Sequence, residues 1–102
     1  MINISIVTDK KGFIWGFEIK GHAGYDEYGK DIVCAAVSST VITTVNAILS
    51  IDKDAIKVNE DSGVEISILK HTEVVDKLIN NMIDLLTELK NDYKDNIDIR
   101  RC

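Results

Sequence analysis

The N-terminal part of the chain alternates between apolar and polar side chains. The apolar positions lie two residues apart in each of two segments: Ile2, Ile4 and Ile6 in the first, and Phe13, Trp15, Phe17 and Ile19 in the second. This period of two is typical of a β-strand with one buried face. Because the turn-forming run Asp9-Lys10-Lys11-Gly12 separates the segments, they are predicted to form a β-hairpin in which each set shares one face.

A second hairpin and a final strand are predicted further along. Residues 56 to 60 and 64 to 69 flank the run Asp61-Ser62-Gly63. Glycine readily adopts the positive φ that a tight turn needs, so these segments favour a second hairpin. A last short alternation, Ile97-Asp98-Ile99, predicts an edge strand.

Two longer segments are predicted to be helices. From Thr72 to Tyr93 the apolar residues recur at helical spacing, at Val75, Leu78, Ile79, Met82, Leu85, Leu86 and Leu89, and Thr72 suits the N-cap. Residues 31 to 50 are rich in Val, Ile and Thr, which favour strands. Valine or leucine nevertheless recurs there every four residues, at Val33, Val37, Val41, Val45 and Leu49. Since this segment is too long for one typical strand, it is predicted to be a helix capped by Asp31.

The predicted order is ββαββα with a final β, which indicates the α+β class. A mainly antiparallel sheet would pack against two helices. The length of 102 residues suits one hydrophobic core, so a single domain over residues 1–102 is expected.

Composition narrows the classes of function. Hydrophobic residues make up 45% and charged residues 28%, as in soluble globular proteins. The N-terminus has no basic start or apolar block, and the apolar region Ile32 to Leu49 is interrupted by Ser and Thr. We therefore expect a cytoplasmic protein that neither carries a secretory signal nor spans a membrane. The net charge of −5 weighs against direct nucleic-acid binding and is compatible with a basic partner.

The segment from Gly21 to Cys34 departs from the pattern of core and turn. Its loop contains Gly21, Gly24 and Gly29, which make it adaptable, and Tyr25 and Tyr28, which offer amphipathic contact surface. We expect residues 21 to 30 to be mobile in the free protein and ordered when a ligand binds.

Cys34 and His22 are the candidate chemical pair of this segment. With Asp31 as N-cap, Cys34 lies three positions into the helix, where the positive end of the helix dipole favours a thiolate. His22 precedes it on the loop and could take the thiol proton. Taken alone, however, a cysteine on an apolar helix is more often core packing, and a loop histidine is usually solvated.

Other chemistries are less compatible with the same residues. A phosphatase signature needs Arg six positions after Cys34, where this chain has Thr40, and no Cys-x-x-Cys redox motif occurs. His22, Cys34, His71 and Cys102 match no common zinc spacing. No metal is therefore expected.

The segment resembles the ribosomal-processing cysteine protease family, Prp. The resemblance rests on Gly21-His22-Ala23, on Tyr25 and Gly29, and on the run Asp31-Ile32-Val33-Cys34-Ala35-Ala36-Val37-Ser38, and it extends over essentially the whole chain. It implies a small bacterial peptidase that removes an N-terminal extension from a basic ribosomal protein, the twenty-seventh of the large subunit. It also implies a homodimer with no metal or organic cofactor.

The resemblance assigns roles to four residues. His22 corresponds to the catalytic histidine, Cys34 to the nucleophile, and Asp31 and Ser38 to supporting positions. Ser38 lies one helical turn beyond Cys34 on the same face, whereas Asp31 either caps the helix or partners His22 directly. Backbone amides of the first helical turn are candidate donors to the oxyanion of the acyl intermediate.

Two rival interpretations remain open at this point. The first is a non-catalytic module that binds ribosomal proteins and buries Cys34 in its helix packing. The second is a thiol-redox or metal-binding protein that uses both Cys34 and Cys102.

Overall fold

Five strands and two helices make up the part of the chain that the computed structural model describes, residues 1–21, 24–27 and 31–101. In chain order they are β1 (Ile2–Thr8), β2 (Ile14–Lys20), α1 (Ile32–Ile51), β3 (Ile56–Asn59), β4 (Val64–Ile68), α2 (Glu73–Asp92) and β5 (Ile97–Arg101). The predicted α+β class and the order ββαββαβ are confirmed, as are both helices and the N-cap at Thr72.

The strands form one sheet in the order β3-β4-β2-β1-β5. The pairs β1–β2, β2–β4 and β3–β4 are antiparallel, whereas β5 runs parallel to β1, with Ile97 opposite Ile2. The sheet is therefore mainly antiparallel, as predicted, and β5 is an edge strand.

A β-bulge in the first hairpin changes which aromatic side chains are buried. The register between β1 and β2 shifts by one residue, which leaves Trp15 without a partner across the ladder. Ile14 and Phe17 consequently point into the core, whereas Phe13 and Trp15 are each 46% exposed. The prediction that Phe13 and Trp15 share the face of Phe17 is wrong, because a bulge inserts one residue into a period of two.

Helices α1 and α2 lie against each other, and their buried stripes pack on one face of the sheet. On β1, Ile2, Ile4 and Ile6 are buried and the intervening Asn3 is exposed, so the core lies on a single side. The buried stripe of α1 follows Val33, Val37 and Val41 and then moves to Thr44 and Ile48. It moves because a helix turns once every 3.6 residues rather than every four.

Helix α1 is unusual in its composition. It carries no charged residue, and among the described residues it is the one helix whose length and composition would suit a membrane span. The core helix of a globular protein has the same characteristics. In this fold α1 contributes five buried residues to the core between the sheet and α2.

Candidate active site

Asp31 fixes the start of α1. Its backbone is extended, with φ −77° and ψ 102°. Its carboxylate Oδ1 accepts hydrogen bonds from the amides of Val33 and Cys34, each 3.0 Å long. This is N-cap geometry, so the cap predicted at Asp31 is confirmed. It places Cys34 in the first turn of α1.

The second carboxylate oxygen of Asp31 binds the preceding loop. Oδ2 accepts a hydrogen bond from the Tyr25 amide at 3.0 Å and one from the Asp26 amide at 3.4 Å. One side chain therefore connects the loop segment 24–27 to the helix turn that carries Cys34.

Four backbone amides determine the charge state of this carboxylate. Burial raises the pKa of Asp31, but the hydrogen bonds from Cys34, Tyr25, Asp26 and Val33 outweigh that effect and hold the pKa below its ordinary value of 3.8. Asp31 is consequently an anion at neutral pH, and each of the four amides donates to a charged acceptor.

Cys34 itself is half-buried at the edge of the core. The binding-module interpretation assumed that Cys34 is buried in the helix packing. The side chain is instead partly exposed to solvent. Ser38, one turn further along α1, is exposed.

Three amides of the first turn are already engaged. Those of Val33 and Cys34 donate to the Asp31 carboxylate, and that of Ala35 donates to the Asp31 carbonyl oxygen at 3.1 Å. These three amides already have acceptors, and the identity of the oxyanion donors stays a prediction.

The loop segment is also held by an aromatic contact with the second helix. The rings of Tyr25 and Tyr93 lie 5.5 Å apart and 86° to each other, an edge-to-face arrangement. Tyr93 is the C-cap of α2. Sequence reasoning missed Tyr93, since an aromatic residue at a helix end is also typical of ordinary core packing.

Several predicted site residues lie outside the described part of the chain. They are His22, Tyr28 and Gly29. Cys102, which only the rival two-thiol interpretation uses, also lies outside the described residues. Of the remaining loop glycines, Gly21 has φ +91° and a Cβ there would collide with the carbonyl oxygen of Met1. Gly24 has φ +68°. The pairing of His22 with Cys34 stays a prediction.

An apolar groove begins one helical turn beyond Cys34. It has a volume of about 310 Å³ and lies between α1 and the sheet. Its lining consists of aliphatic side chains, Ser38, Asn46 and one carboxylate; the residues are Ile19, Val37, Ser38, Val41, Ile42, Val45, Asn46, Val58, Glu60 and Val64. Such a groove suits an extended peptide with an apolar side chain.

His71 belongs to a different part of the molecule. Its Nδ1 lies 3.0 Å from Oδ1 of Asp76, and its ring packs against Trp15 with centroids 4.2 Å apart. His71 precedes the start of α2, whereas the Tyr25 loop contacts its end, and a helix of this length spans about 30 Å. His71 is therefore not a partner of Cys34. In the described ranges, no three His, Cys, Asp or Glu side chains are grouped so as to hold a metal.

Comparisons with protein families and with individual relatives agree on one family. The family model for Cysteine protease Prp matches residues 1–98. The ribosomal processing cysteine protease Prp of Bacillus subtilis (strain 168) is 34% identical over 107 residues, covering 97% of this chain and 96% of that protein.

Two crystal structures of the essential ribosomal processing protease Prp from S. aureus have the same fold. The complex with a covalently linked product peptide has a TM-score of 0.90 at 26% identity, and the complex with a substrate peptide has a TM-score of 0.86 at 25% identity. Each likeness covers 100% of both chains. Since the family match includes both helices and the capped turn that carries Cys34, the chain belongs to the Prp family of cysteine proteases.

Proposed function

We propose that this protein is a cysteine endopeptidase that removes the N-terminal extension of the twenty-seventh protein of the large ribosomal subunit. The observation that carries the proposal is the position of Cys34. It lies in the first turn of α1, half-buried, with its amide held by the Asp31 anion. A half-buried sulfur can be reached by a base and by a substrate carbonyl, and the thiolate that a base forms is the nucleophilic form of cysteine.

In this proposal Cys34 and His22 form a catalytic dyad. His22 takes the proton of the Cys34 thiol, the thiolate attacks the scissile carbonyl carbon, and His22 gives the proton to the departing amine as the C–N bond breaks. A water molecule then loses a proton to His22 and attacks the thioester. The C–S bond breaks, the acyl product leaves as a carboxylic acid, and the proton passes from His22 to the Cys34 sulfur. Asp31 supports the reaction by holding the loop next to the first turn of α1.

The groove beyond Cys34 is the proposed site for one side of the peptide. Its aliphatic lining favours an apolar side chain, while Glu60, the one carboxylate in its lining, favours a basic side chain nearby. The net charge of −5 also favours encounter with a basic ribosomal protein at low salt. The S. aureus relative has been crystallised with a substrate peptide, which supports an extended peptide as ligand.

We further propose that the protein works as a cytoplasmic homodimer. The support is helix α1, which has no charged residue although much of it is exposed. Two chains of net charge −5 repel least when uncharged faces meet, and a two-fold interface is self-complementary. Sedimentation should show a dimer that the exposed substitution Thr43→Lys weakens and Asn80→Lys, on the outer side of α2, leaves intact. A monomer at all concentrations would refute the dimer.

Cleavage of a defined peptide tests the proposed reaction. The purified protein is incubated with a synthetic peptide that spans the extension and its junction, and the products are identified by mass spectrometry. Cleavage at one bond is expected, with none in Cys34→Ala, since alanine is compatible with the helix and lacks the nucleophile. Cys102→Ser is the matched control and should cleave at the parental rate, because the proposed reaction uses one thiol, that of Cys34.

The same variants separate the proposal from its rivals. A non-catalytic binding module would leave the peptide intact, and its Cys34 would react with iodoacetamide no faster than Cys102. A two-thiol or metal mechanism would lose activity in Cys102→Ser. Substantial cleavage by Cys34→Ala would remove Cys34 as the nucleophile.

A further inference from the structure

We propose that Tyr93 is a positioning residue for the active-site loop. Its ring, at the end of α2, holds the ring of Tyr25 and thereby keeps the segment 24–27 next to the helix turn of Cys34. The catalytic consequence rests on the proposed function, whereas the effect on the loop does not. Tyr93 is anchored in the fold, Tyr25 has two attachments, and those attachments lead to Cys34.

Tyr93 is held in place by its own helix and by the following turn. Its amide donates to the carbonyl oxygen of Leu89 at 2.9 Å, and its carbonyl accepts from the amide of Asn96 at 3.0 Å. The side chain is half-buried and packs against the core. A ring fixed in this way provides a rigid surface for a loop residue.

Tyr25 is attached to the rest of the fold at two points. Its ring contacts the edge or face of Tyr93 at a centroid distance of 5.5 Å, and its amide donates to Asp31 Oδ2 at 3.0 Å. Half of the Tyr25 side chain remains exposed. The neighbouring Gly24 has no described atom within 4 Å of the position of a Cβ.

The two attachments of Tyr25 lead directly to the reactive turn. Asp31 receives the Tyr25 amide on one carboxylate oxygen and the Cys34 amide on the other. A continuous path therefore runs from the C-cap of α2 through Tyr25 and Asp31 to Cys34. Loss of the ring contact would remove one of the contacts that hold the loop side of this path, and the Asp31 hydrogen bonds there compete with water at an exposed position.

Amide hydrogen exchange tests the positioning role without any substrate. The amides of Tyr25 and Asp26 are followed in the full chain and in Tyr93→Leu, Tyr25→Leu and the double variant. Each single variant should raise exchange at these amides about two- to tenfold, the range expected for one aromatic pair. The double variant should add little, because both substitutions remove the same contact.

Two further variants make the result specific. Tyr93→Phe should exchange like the parent protein, since an edge-to-face contact needs the ring and not the hydroxyl. Phe13→Leu removes an aromatic ring near the opposite end of α2 whose exposure, 46%, is close to the 50% of Tyr25. It should leave amide exchange at residues 25 and 26 unchanged. If Tyr93→Leu destabilises the whole fold, Tyr25→Leu removes the same ring contact by changing the more exposed partner. Unchanged exchange at residues 25 and 26 in Tyr25→Leu would overturn the proposal.

Peptide cleavage then tests the catalytic consequence. Exposed loops open at small free-energy cost, so loss of an anchor lowers the fraction of competent enzyme. Tyr93→Leu is expected to lower kcat/KM about two- to fivefold, with Cys34 still open to alkylation by iodoacetamide and with parental activity in Tyr93→Phe. Faster exchange with unchanged kcat/KM would overturn the catalytic role. Absence of cleavage in the parent protein would refute the proposed function and leave the exchange result standing.

Discussion

The carboxylate of Asp31 lies 3.0 Å from the amide of Cys34. Through its other oxygen the same carboxylate lies 3.0 Å from the amide of Tyr25. An N-cap usually satisfies only the orphan amides of its own helix. Here the cap also orders the loop that precedes it, so the stability of the helix start and the position of the loop depend on one side chain.

Substitutions at Asp31 should separate these two tasks. Asp31→Ala removes the acceptor for all four amides, so it should lower the unfolding temperature and speed exchange at Tyr25, Val33 and Cys34. Asparagine is as good an N-cap as aspartate but has one acceptor oxygen. Asp31→Asn should therefore protect the amides of Val33 and Cys34 while those of Tyr25 and Asp26 exchange faster. Equal protection of both sets in Asp31→Asn would show that the two-sided bonding does not hold in solution.

The lowered pKa of Asp31 predicts the direction of its pH dependence. Its folded-state pKa lies below 3.8. The ionised carboxylate therefore stabilises the folded state, and protonation at acidic pH favours the unfolded chain, which binds the proton more tightly. That stabilisation is fully present above the unfolded value and is lost as the pH falls through the folded value. The stability difference between the parent and Asp31→Asn, measured by urea unfolding, should be constant above about pH 5 and shrink at lower pH. A difference that grows on acidification would contradict the assignment.

Much of the fold could be predicted from sequence patterns, and the main error of that prediction has a physical cause. Helix α1 was predictable because the spacing of Val33, Val37 and Val41 outweighs the strand preference of β-branched residues, and α2 because its apolar stripe is regular. The bulge at Trp15 was not predictable, since the extra residue leaves the sequence looking like one continuous alternation.

The candidate site could be predicted only where its contacts are local. Asp31 and Cys34 are three residues apart, so cap preference alone indicated their arrangement. Tyr25 and Tyr93 lie far apart in the sequence, and no local pattern shows which end of α2 meets the loop. The engagement of the first-turn amides also depends on the actual side-chain position of Asp31, which a residue pattern does not give.

Gly21 and Gly12 provide a matched test of the loop entrance. Both have positive φ, +91° and +88°, but a Cβ at Gly12 meets open space whereas one at Gly21 meets the Met1 carbonyl oxygen. Gly12→Ala should cost about 1–2 kcal/mol from the left-handed backbone alone. Gly21→Ala should cost clearly more, since β1 must also shift. Chemical denaturation measures the free energy of unfolding of both variants. Equal losses would show that the start of β1 moves away from the new Cβ at no energetic cost.

Loop mobility should depend on substrate. In the free protein, amides 22 to 30 are expected to exchange faster than those in the buried face of α2, because Gly21, Gly24 and Gly29 leave the chain adaptable. Added substrate peptide should slow them, and Cys34→Ala protein prevents turnover during the measurement. A scrambled peptide of the same composition is the control. Amides 22 to 30 that are already as protected as α2 in the free protein would mean that the site is preformed.

The role of His22 can be separated from that of Cys34 by comparing two reactions. If His22 transfers protons, His22→Ala should abolish most peptide cleavage, because the leaving amine is then not protonated. Cys34 should still be alkylated by iodoacetamide, because its half-buried thiol stays accessible. The reaction should be slower than in the parent, because no histidine then takes the thiol proton. His71→Ala is the matched control: it removes a histidine that pairs with Asp76 at the opposite end of α2, and cleavage per folded molecule should be retained. Loss of activity in His71→Ala with full activity in His22→Ala would reverse the assignment.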